Sequence, residues 1–247
     1  MRLALDTSTT WSSIALVSGE EVVAADDIDA ANPGEVVVAR IDELLREADV
    51  ERTSLTGVVV GVGPGPYTST RVGVAIARAL GFALGIEVVG VCSHDAIAAE
   101  FVAALPADSD TRDFIVATDA RRREVYWARY DAYGNRRSGP AVAKPAELLE
   151  SFANLVWVGN GLDRYPDLVA ANTVTVMPPT HPSARWIEWI AAQEMATGHT
   201  VPTSQPELAD HESGSQVAFD SDQRLFAPFP LYLRRPDAVP SAQVVMP

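Results

Sequence analysis

The sequence has few of the residues that cross-link small domains or bind transition metals. Its 247 residues include one cysteine, Cys92, and four histidines. A single cysteine cannot form an intrachain disulfide or a cysteine-based zinc site. The histidines are scattered, so a catalytic metal would need carboxylate ligands. The composition therefore excludes disulfide-stapled and zinc-finger proteins.

Positive charge and long hydrophobic runs are also scarce. Lysine and arginine number 19 against 33 aspartates and glutamates, which gives a net charge of -14. Such a chain repels nucleic-acid phosphates and anionic lipids, so it is a poor stand-alone binder of either. The most apolar stretch, residues 72–92, is interrupted by Arg78, Glu87 and several glycines, too often for a membrane span. The N-terminus shows no signal-peptide pattern, so we expect a cytoplasmic protein with no membrane partner.

The order of predicted elements indicates an α/β fold. With 47% hydrophobic residues, the chain is long enough for one large or two small domains. The first lobe reads as three strands followed by helix, strand, helix, strand and helix, and the later residues repeat this order in part. Mixed sheets covered by helices are the simplest packing. Two such lobes, at 1–106 and 107–247, would resemble the ribonuclease-H-like lobes of the actin and sugar-kinase superfamily.

Capping residues predict where two helices of the first lobe begin and end. One helix is predicted from Arg71 onward, and Gly85 is predicted to end it. Ser93 follows the next strand and is predicted to cap the third helix. These positions set the ends of the loops in which candidate site residues lie.

Two segments of the second lobe lack a regular pattern. Residues 197–224 are polar and acidic and are predicted to form a long loop or a disordered insert. The C-terminal tail, residues 226–247, is rich in proline, and a short apolar strand is predicted within it at 230–233. Neither segment carries a recognisable catalytic pattern.

Asp6, Thr7, Ser8 and Thr9 form the first candidate site. A carboxylate at a strand end, followed by hydroxyl groups in a turn, suits magnesium or phosphate binding. The carboxylate would hold the metal, and the hydroxyls and turn amides would face phosphate oxygens. The competing interpretation is a β-turn in which the same side chains satisfy local backbone groups, which is the more common use of such a motif.

The second candidate is a loop rich in glycine and proline, with the sequence GVGPGPYTSTRVG at residues 61–73. Gly63 and Gly65 would let the backbone approach a ligand, and the loop leads into a helix N-terminus whose free amides favour anions. It is not a P-loop, because no lysine follows the glycines, and prolines exclude a dinucleotide fingerprint. A strand-to-helix connection that needs glycine for packing explains the loop equally well.

A third motif is the polar turn that contains Arg121, Arg122 and Arg123. It precedes an aromatic strand that begins at Val125. Three arginines in a turn are most often a solvated loop. The alternative is contact with RNA phosphates or with the acidic face of a partner.

Five motifs follow one another in a fixed order along the chain. They are DTST at 6–9, the glycine–proline loop at 61–73, DAR with EVY at 119–126, VGNG at 158–161 and PLYLRRP at 230–236. In this order and spacing they resemble the bacterial TsaB (YeaZ) family, and the resemblance covers most of the chain. The glycine–proline loop is its most specific part.

The resemblance implies an actin-like, two-lobe architecture and a non-catalytic role. TsaB-like proteins act as scaffold or activator of a paralogous catalytic subunit, TsaD. With the ATPase TsaE, these proteins add threonylcarbamoyl to the adenosine beside the anticodon of certain tRNAs. TsaD carries a metal-binding histidine pair in its first long helix, where this chain has no histidine. We therefore expect no catalytic residues, no metal, a homodimer when the chain is alone, and tRNA contact only through the complex.

The resemblance leaves no certain cofactor and at most weak binding of ATP or ADP. The residues of this vestigial phosphate site would be Asp6, Thr7, Ser8, Gly63, Gly65 and Thr68. Two departures from the family pattern weaken it further. Pro33 and Gly34 stand where the family usually has a histidine before the glutamate, and Ser69 replaces a loop glycine, which narrows the allowed backbone.

The same resemblance implies that two helices, at 32–48 and 69–84, form a helical bundle with TsaD or with a second copy. The candidate contact residues are Val36, Val37, Arg40, Leu44, Val74, Ala75 and Arg78. A helix only partly covered by its own domain leaves an apolar stripe, and such patches mark partner sites. The competing interpretation is a place in the core, which is favoured for Val37 and Leu44.

Three other functions stay open from the sequence. An ATP-dependent kinase or transferase of the actin-like superfamily would need a second carboxylate and an adenosine loop, for which residues 158–161 are the candidate. A glycoprotease would need a histidine pair or a Ser/His/Asp-like arrangement, and the sequence offers neither. The third alternative is a homodimeric interaction protein without a tRNA role.

Overall fold

Two mixed β-sheets organise the molecule. The computed structural model describes residues 1–29, 32–106, 112–202 and 223–233. The first sheet contains β1 (Arg2–Asp6), β2 (Trp11–Ser18), β3 (Glu21–Asp29), β4 (Gly57–Gly61), β5 (Glu87–Val91) and β11 (Leu225–Phe226). The second contains β6 (Phe114–Asp119), β7 (Val125–Tyr130), β8 (Arg136–Ala143), β9 (Val156–Val158) and β10 (Val176–Met177). The α-helices are α1 (Pro33–Glu47), α2 (Tyr67–Leu84), α3 (Ser93–Ala104), α4 (Pro145–Phe152), α5 (Pro166–Asn172) and α6 (Ala184–Ala196).

The two sheets share one topology. In the first, the strand order is β5-β4-β1-β2-β3, and in the second it is β10-β9-β6-β7-β8. In each, the first three strands in chain order pair antiparallel, and the last two add parallel to the first. β11 extends the first sheet antiparallel to β5. This repetition confirms the predicted fold of two ribonuclease-H-like lobes.

Helices cover the sheets on both sides. α1 and α2 pack on one face of the first sheet, where Val37, Leu44 and Val74 join its core. α6 packs on the opposite face through Ile187 and Ile190. α3 contacts both α6 and the second sheet, so these two helices lie between the sheets. No helix in the described part of the chain is both long and apolar enough to cross a bilayer.

The structure corrects several predicted element ends. α2 begins at Tyr67 rather than Arg71, although it does end at Gly85, whose φ is 66°. Ser93 is the first residue of α3 and not its cap, which is Cys92. β8 was not predicted, because a proline and a glycine interrupt its strand pattern. It lies at the edge of the second sheet, where a strand tolerates proline. The short α5 was also missed.

The strand predicted at 230–233 is wrong. These residues have no regular structure, whereas Leu225 and Phe226 form β11. Leu231 and Leu233 are buried from an irregular segment, and this alternation imitates a strand pattern. Most of the predicted acidic insert, residues 203–222, and the tail beyond residue 233 lie outside the described residues.

The lobe boundary at residue 106 stays a prediction, since residues 107–111 lie outside the described chain. The structure does place α6 and β11 against the first sheet. Both elements follow residue 106, so part of the segment assigned to the second lobe packs with the first. α6 and Leu225 cover the face of the first sheet that α1 and α2 leave open, whereas Phe226 packs on the side of α1 and α2.

A buried polar network joins the start of α3 to the second sheet. The hydroxyl of Tyr130 donates to Asp95 Oδ1 at 2.6 Å, and Arg136 Nε lies 3.4 Å from the same oxygen. His94 Nε2 lies 2.9 Å from Thr118 Oγ1. All five residues are buried. Since each contact joins α3 to a strand of the other sheet, the network fixes how the lobes meet.

Arg136→Met is expected to destabilise the fold strongly. It would leave the buried carboxylate of Asp95 without its cation, and breaking a buried ion pair costs about 3–5 kcal/mol. Arg137→Met is the matched control, because the Arg137 side chain is 60% exposed and pairs with Asp131 at the surface edge. It should cost no more than about 1 kcal/mol. Chemical denaturation measures both, and equal losses would contradict the role of the network.

His94 is expected to make the fold sensitive to acid. Burial, with the charge of Arg136 nearby, lowers the pKa of His94 from 6.5 to about 3. Between these values the unfolded chain takes up a proton that the folded chain refuses, so stability falls as the pH drops. In His94→Gln, the number of protons taken up on unfolding should fall by up to one, so the free energy of unfolding should depend less steeply on pH. An unchanged pH dependence in His94→Gln would contradict this assignment.

Candidate functional site

The carboxylate of Asp6 is buried at the end of β1, and both of its oxygens accept hydrogen bonds from the protein. Oδ1 accepts from the backbone N–H and the hydroxyl of Ser8, each at 2.7 Å. Oδ2 accepts from the Ser93 hydroxyl at 2.5 Å. Burial raises the pKa of Asp6, and the Ser93 and Ser8 hydrogen bonds oppose that rise. The carboxylate is thus used inside the molecule and does not face a cleft.

Ser93 connects the first motif to the glycine–proline loop. Besides donating to Asp6, its hydroxyl oxygen accepts the backbone N–H of Gly63 at 3.0 Å. The Ser93 backbone N–H donates to the carbonyl of Gly63 at 2.8 Å. Sequence reasoning assigned this serine to a helix cap, and no local signal pairs it with an aspartate 87 positions away.

Thr7 connects the first motif to α2. Its hydroxyl donates to the carbonyl of Ser69 at 2.6 Å and accepts the backbone N–H of Gly73 at 3.1 Å. Thr7 and Ser8 are both buried. The Thr7 hydroxyl, predicted to face phosphate oxygens, therefore joins the end of β1 to the start of α2, and the Ser8 hydroxyl bonds Asp6.

Three glycines of the loop allow this close packing. A Cβ at Gly61 would overlap Asp6 Oδ2, and a Cβ at Gly65 would overlap the carbonyl oxygen of Ser8. A Cβ at Gly73 would lie 2.5 Å from Thr7 Oγ1. Since the neighbours are protein atoms, packing accounts for the glycines at these three positions.

Open space lies on the outer side of the loop. Thr68 is exposed in the first turn of α2, beside a groove of about 520 Å³ that reaches Asn32 and Glu35 of the first helix region. A second cavity of about 190 Å³ continues toward Asn160. Arg121 lines both. Thr68 is the one predicted phosphate-site residue that borders this groove; the other five are buried.

The predicted adenosine loop of the second lobe is also packed against protein. A Cβ at Gly159 would overlap the carbonyl oxygen of Ala117, and one at Gly161 would lie 2.8 Å from the Ala117 Cβ. The backbone N–H of Gly161 donates to the same carbonyl at 3.0 Å. Asn160 accepts the backbone N–H of Asp119 through its side chain at 3.2 Å. Among the described residues, no three side chains of His, Cys, Asp or Glu gather as a metal site.

The predicted partner residues divide into two groups. Val37, Leu44 and Val74 are buried in the core, so their side chains cannot contact a partner. Their apolarity serves the sheet that α1 and α2 cover. Val36 and Arg40 are half-buried, whereas Ala75 and Arg78 are exposed. Arg40 forms ion pairs with Asp26, Glu43 and Glu47 within the chain, so Val36, Ala75 and Arg78 are the predicted contact residues that stay available to a partner.

Sequence reasoning missed the most exposed apolar side chain on these helices. Phe82 of α2 is 92% exposed, and Val38 of α1 is 50% exposed. Phe82 follows Arg78 by one helical turn and lies outside the buried stripe of α2, which is formed by Thr70, Gly73, Val74, Ala77 and Gly81. A helical wheel phased on the buried positions would have found it.

Comparison with known proteins places this architecture in a family. A family model described as "TsaD: tRNA N6-adenosine threonylcarbamoyltransferase" matches residues 31–239. An Escherichia coli protein named tRNA threonylcarbamoyladenosine biosynthesis protein TsaB is 29% identical over 215 residues, which cover 83% of this chain and 91% of that protein. The chain belongs to the TsaB (YeaZ) branch of the TsaD family. The resemblance inferred from the sequence motifs is thereby confirmed.

Two further proteins match nearly the whole chain. An uncharacterized protein of Mycobacterium tuberculosis is 35% identical over 243 residues, which cover 97% of this chain and 94% of that protein. The structure of YeaZ from Pseudomonas aeruginosa superposes with a TM-score of 0.68 at 23% identity, covering 94% of this chain and 99% of that chain. This structural match shows that the TsaB-family fold extends over both lobes.

Gly65→Ala is expected to destabilise this TsaB-family chain. The added Cβ would collide with the Ser8 carbonyl, and overpacking costs about 3 kcal/mol when backbone atoms cannot move away. Gly34→Ala is the matched control, because its Cβ would lie 3.8 Å from the Val72 methyl groups, an ordinary contact. Its effect should stay within about 0.5 kcal/mol. A well-folded Gly65→Ala variant would show that the loop is looser than the structure indicates.

Proposed function

We propose that this chain acts in the formation of threonylcarbamoyladenosine in tRNA, as a non-catalytic subunit that docks onto a TsaD-like catalytic subunit. Family membership and near full-length similarity to a TsaB protein support the pathway. The observation that carries the docking role is Phe82, which is 92% exposed on a helix that is otherwise anchored in the core. Large aromatic side chains in such positions are typical anchors of protein interfaces.

Arginine and aromatic side chains lie along the same outer face of α2 as Phe82. Arg78 lies over the ring of Phe229, 4.5 Å from its centroid. One end of the helix carries Tyr67, which stacks on Tyr232 with centroids 4.8 Å apart. Tyrosine and arginine are enriched at interface hot spots, and phenylalanine is enriched in interfaces as a whole. We name this surface the docking face and define it by Tyr67, Arg71, Ala75, Arg78 and Phe82 of α2 with Val36 and Val38 of α1.

The charges of α1 and α2 favour a partner built in the same way. α2 carries two arginines and no acidic residue. α1 exposes Glu35, Asp42, Glu43 and Glu47 and carries only Arg40 and Arg46 against them, so it has a net negative charge. A paralogous subunit that presents two equivalent helices could place its acidic helix against the basic one. A second copy of this chain meets the same condition, so a homodimer is the expected state of the chain alone.

Docking onto a TsaD-like subunit also sets the expected contacts with an ATPase, with tRNA and with nucleotide. A TsaE-like ATPase would join the complex, and this chain would contact tRNA only as part of the complex. ATP or ADP binding by this chain is expected to be weak at most, because the Asp6 carboxylate accepts its hydrogen bonds from Ser8 and Ser93. Ligand contact would be limited to Thr68 and its neighbours along the outer groove.

The alternative of a glycoprotease finds no support in side-chain geometry. The nearest Ser/His/Asp grouping in the described chain has Asp27 at its centre, with His181 Nε2 3.7 Å from its carboxylate. The Ser13 hydroxyl oxygen accepts the backbone N–H of Ala184 at 2.8 Å, and the serine is buried. A nucleophile needs the histidine between serine and aspartate, and here the aspartate lies between the other two.

Phe82→Glu is expected to weaken binding to a TsaD-like subunit by about 2 kcal/mol or more, roughly 30-fold in Kd, because a charge would replace an interface anchor. Co-purification and sedimentation measure the binding, and a tRNA modification assay with and without this chain measures the function. Tyr133→Glu is the matched control, since Tyr133 is an aromatic residue, 84% exposed, in a turn of the second lobe. Failure of the wild-type chain to bind or to change modification would contradict the proposal.

A further inference from the structure

The turn between β6 and β7 holds three consecutive arginines in a conformation that arginine rarely adopts. The φ angles of Arg121, Arg122 and Arg123 are 60°, 52° and 63°. In this left-handed region the Cβ of an L residue crowds the following carbonyl oxygen, and glycine avoids the cost. Among the other described residues, positive φ belongs to glycines, Asp49 and Thr173. The chain therefore keeps arginine at three positions where glycine would fold more easily.

Hydrogen bonds at both ends of the turn hold this backbone. The Ala120 N–H donates to the carbonyl of Glu124 at 3.0 Å, and the Glu124 N–H donates to the carbonyl of Arg121 at 2.9 Å. The Asp119 carboxylate accepts the Arg121 N–H at 2.9 Å. Ala120 itself is buried beside Tyr126. Strained residues persist where surrounding structure enforces them, and they concentrate at binding sites.

The turn concentrates positive charge in a chain whose net charge is -14. All three arginines are exposed. Arg164 approaches the same place, and the carboxylate of Asp119 lies 3.4 Å from Arg164 Nε and 3.5 Å from Arg121 Nη1. Glu124 and Asp163 are the other acidic residues nearby. Four arginines against three acidic groups leave a locally positive site.

The position of the turn connects it to the docking face. Arg121 lines the groove that runs along the first turn of α2, past Tyr67, to Asn32 and Glu35 at the start of α1. Arg121 thus lies in the groove that runs beside the helices of the docking face, and Arg122 and Arg123 follow it in the same exposed turn. A polyanion held by a partner subunit on that face could reach them.

We propose that the arginine turn, residues 119–124, binds phosphodiester groups of the RNA on which the complex acts. This inference rests on the proposed function, because the net negative charge of the chain makes RNA binding weak without a partner. Guanidinium groups pair with phosphate oxygens through two parallel hydrogen bonds, which lysine cannot do. The need for those side chains explains why arginine is kept at positions that favour glycine.

The test uses the full chain in complex with a TsaD-like subunit and a substrate tRNA. Arg122→Ala with Arg123→Ala is expected to weaken tRNA binding on the order of tenfold at roughly 0.1 M salt. The slope of log affinity against log salt concentration should become shallower by about 1.5, because two phosphate contacts are lost. Co-purification with the TsaD-like subunit should not change. Free ATP serves as a second ligand, and its affinity should be the same in both chains.

The matched control is Arg137→Ala with Arg185→Ala, which removes the same charge from exposed positions outside the turn. This control should leave the salt slope unchanged. A second variant, Arg122→Gly with Arg123→Gly, relieves the backbone strain, so its midpoint of thermal unfolding should rise while tRNA affinity falls as in the alanine variant. The glycine variant excludes misfolding as the cause of lost binding.

Each other outcome overturns the inference. Unchanged tRNA affinity in a stable glycine variant would show that the arginines do not bind RNA. Loss of co-purification by the alanine variant would assign the turn to an acidic protein surface, and loss of ATP affinity alone would assign it to a free nucleotide. If the wild-type chain fails to bind the TsaD-like subunit, the proposed function fails first, and the inference fails with it.

Discussion

The carboxylate of Asp6 is the group on which the arrangement of the first lobe depends. It accepts hydrogen bonds from Ser8 and Ser93, so one buried side chain joins the end of β1 to the following turn and to the start of α3. A buried carboxylate without such donors would be very costly, and its pKa is already raised by burial. Gly61 has no side chain because the carboxylate occupies that space. The end of β1, the turn at Ser8, the glycine–proline loop and the start of α3 are thereby fixed relative to one another.

Two functional consequences follow from this one constraint. In the proposed function, the Asp6 carboxylate has a structural role, because both of its oxygens accept hydrogen bonds within the chain, and the partner subunit supplies the chemistry. The next residue, Thr7, anchors α2, because its hydroxyl bonds the backbone of Ser69 and Gly73. Phe82 of the same helix projects into solvent. An anchored helix loses little conformational entropy on binding, which favours a docking role.

The strand and helix order of the first lobe could be predicted, because hydrophobic periodicity and turn residues are local signals, whereas β8 of the second lobe was missed. The sequence could not decide between packing and ligand binding for the glycine loop, since that depends on contacts such as Ser93 with Asp6, far apart in the chain. It assigned Val74 to a partner surface and overlooked Phe82, because apolar residues mark core and interface alike until the helix is phased against its sheet. The three arginines were predicted to lie in a turn, but nothing in the sequence marks their left-handed conformation, since such positions are normally glycine or asparagine.

ATP turnover by the isolated chain tests most directly whether the Asp6 carboxylate is structural. The account predicts no turnover above background, with or without Mg²⁺, by the wild-type chain or by Asp6→Asn. It also predicts that Asp6→Asn lowers the midpoint of unfolding, because an amide nitrogen cannot accept the hydrogen bonds that the second carboxylate oxygen accepts. Turnover by the wild-type chain that Asp6→Asn abolishes, at an unchanged unfolding midpoint, would contradict the account.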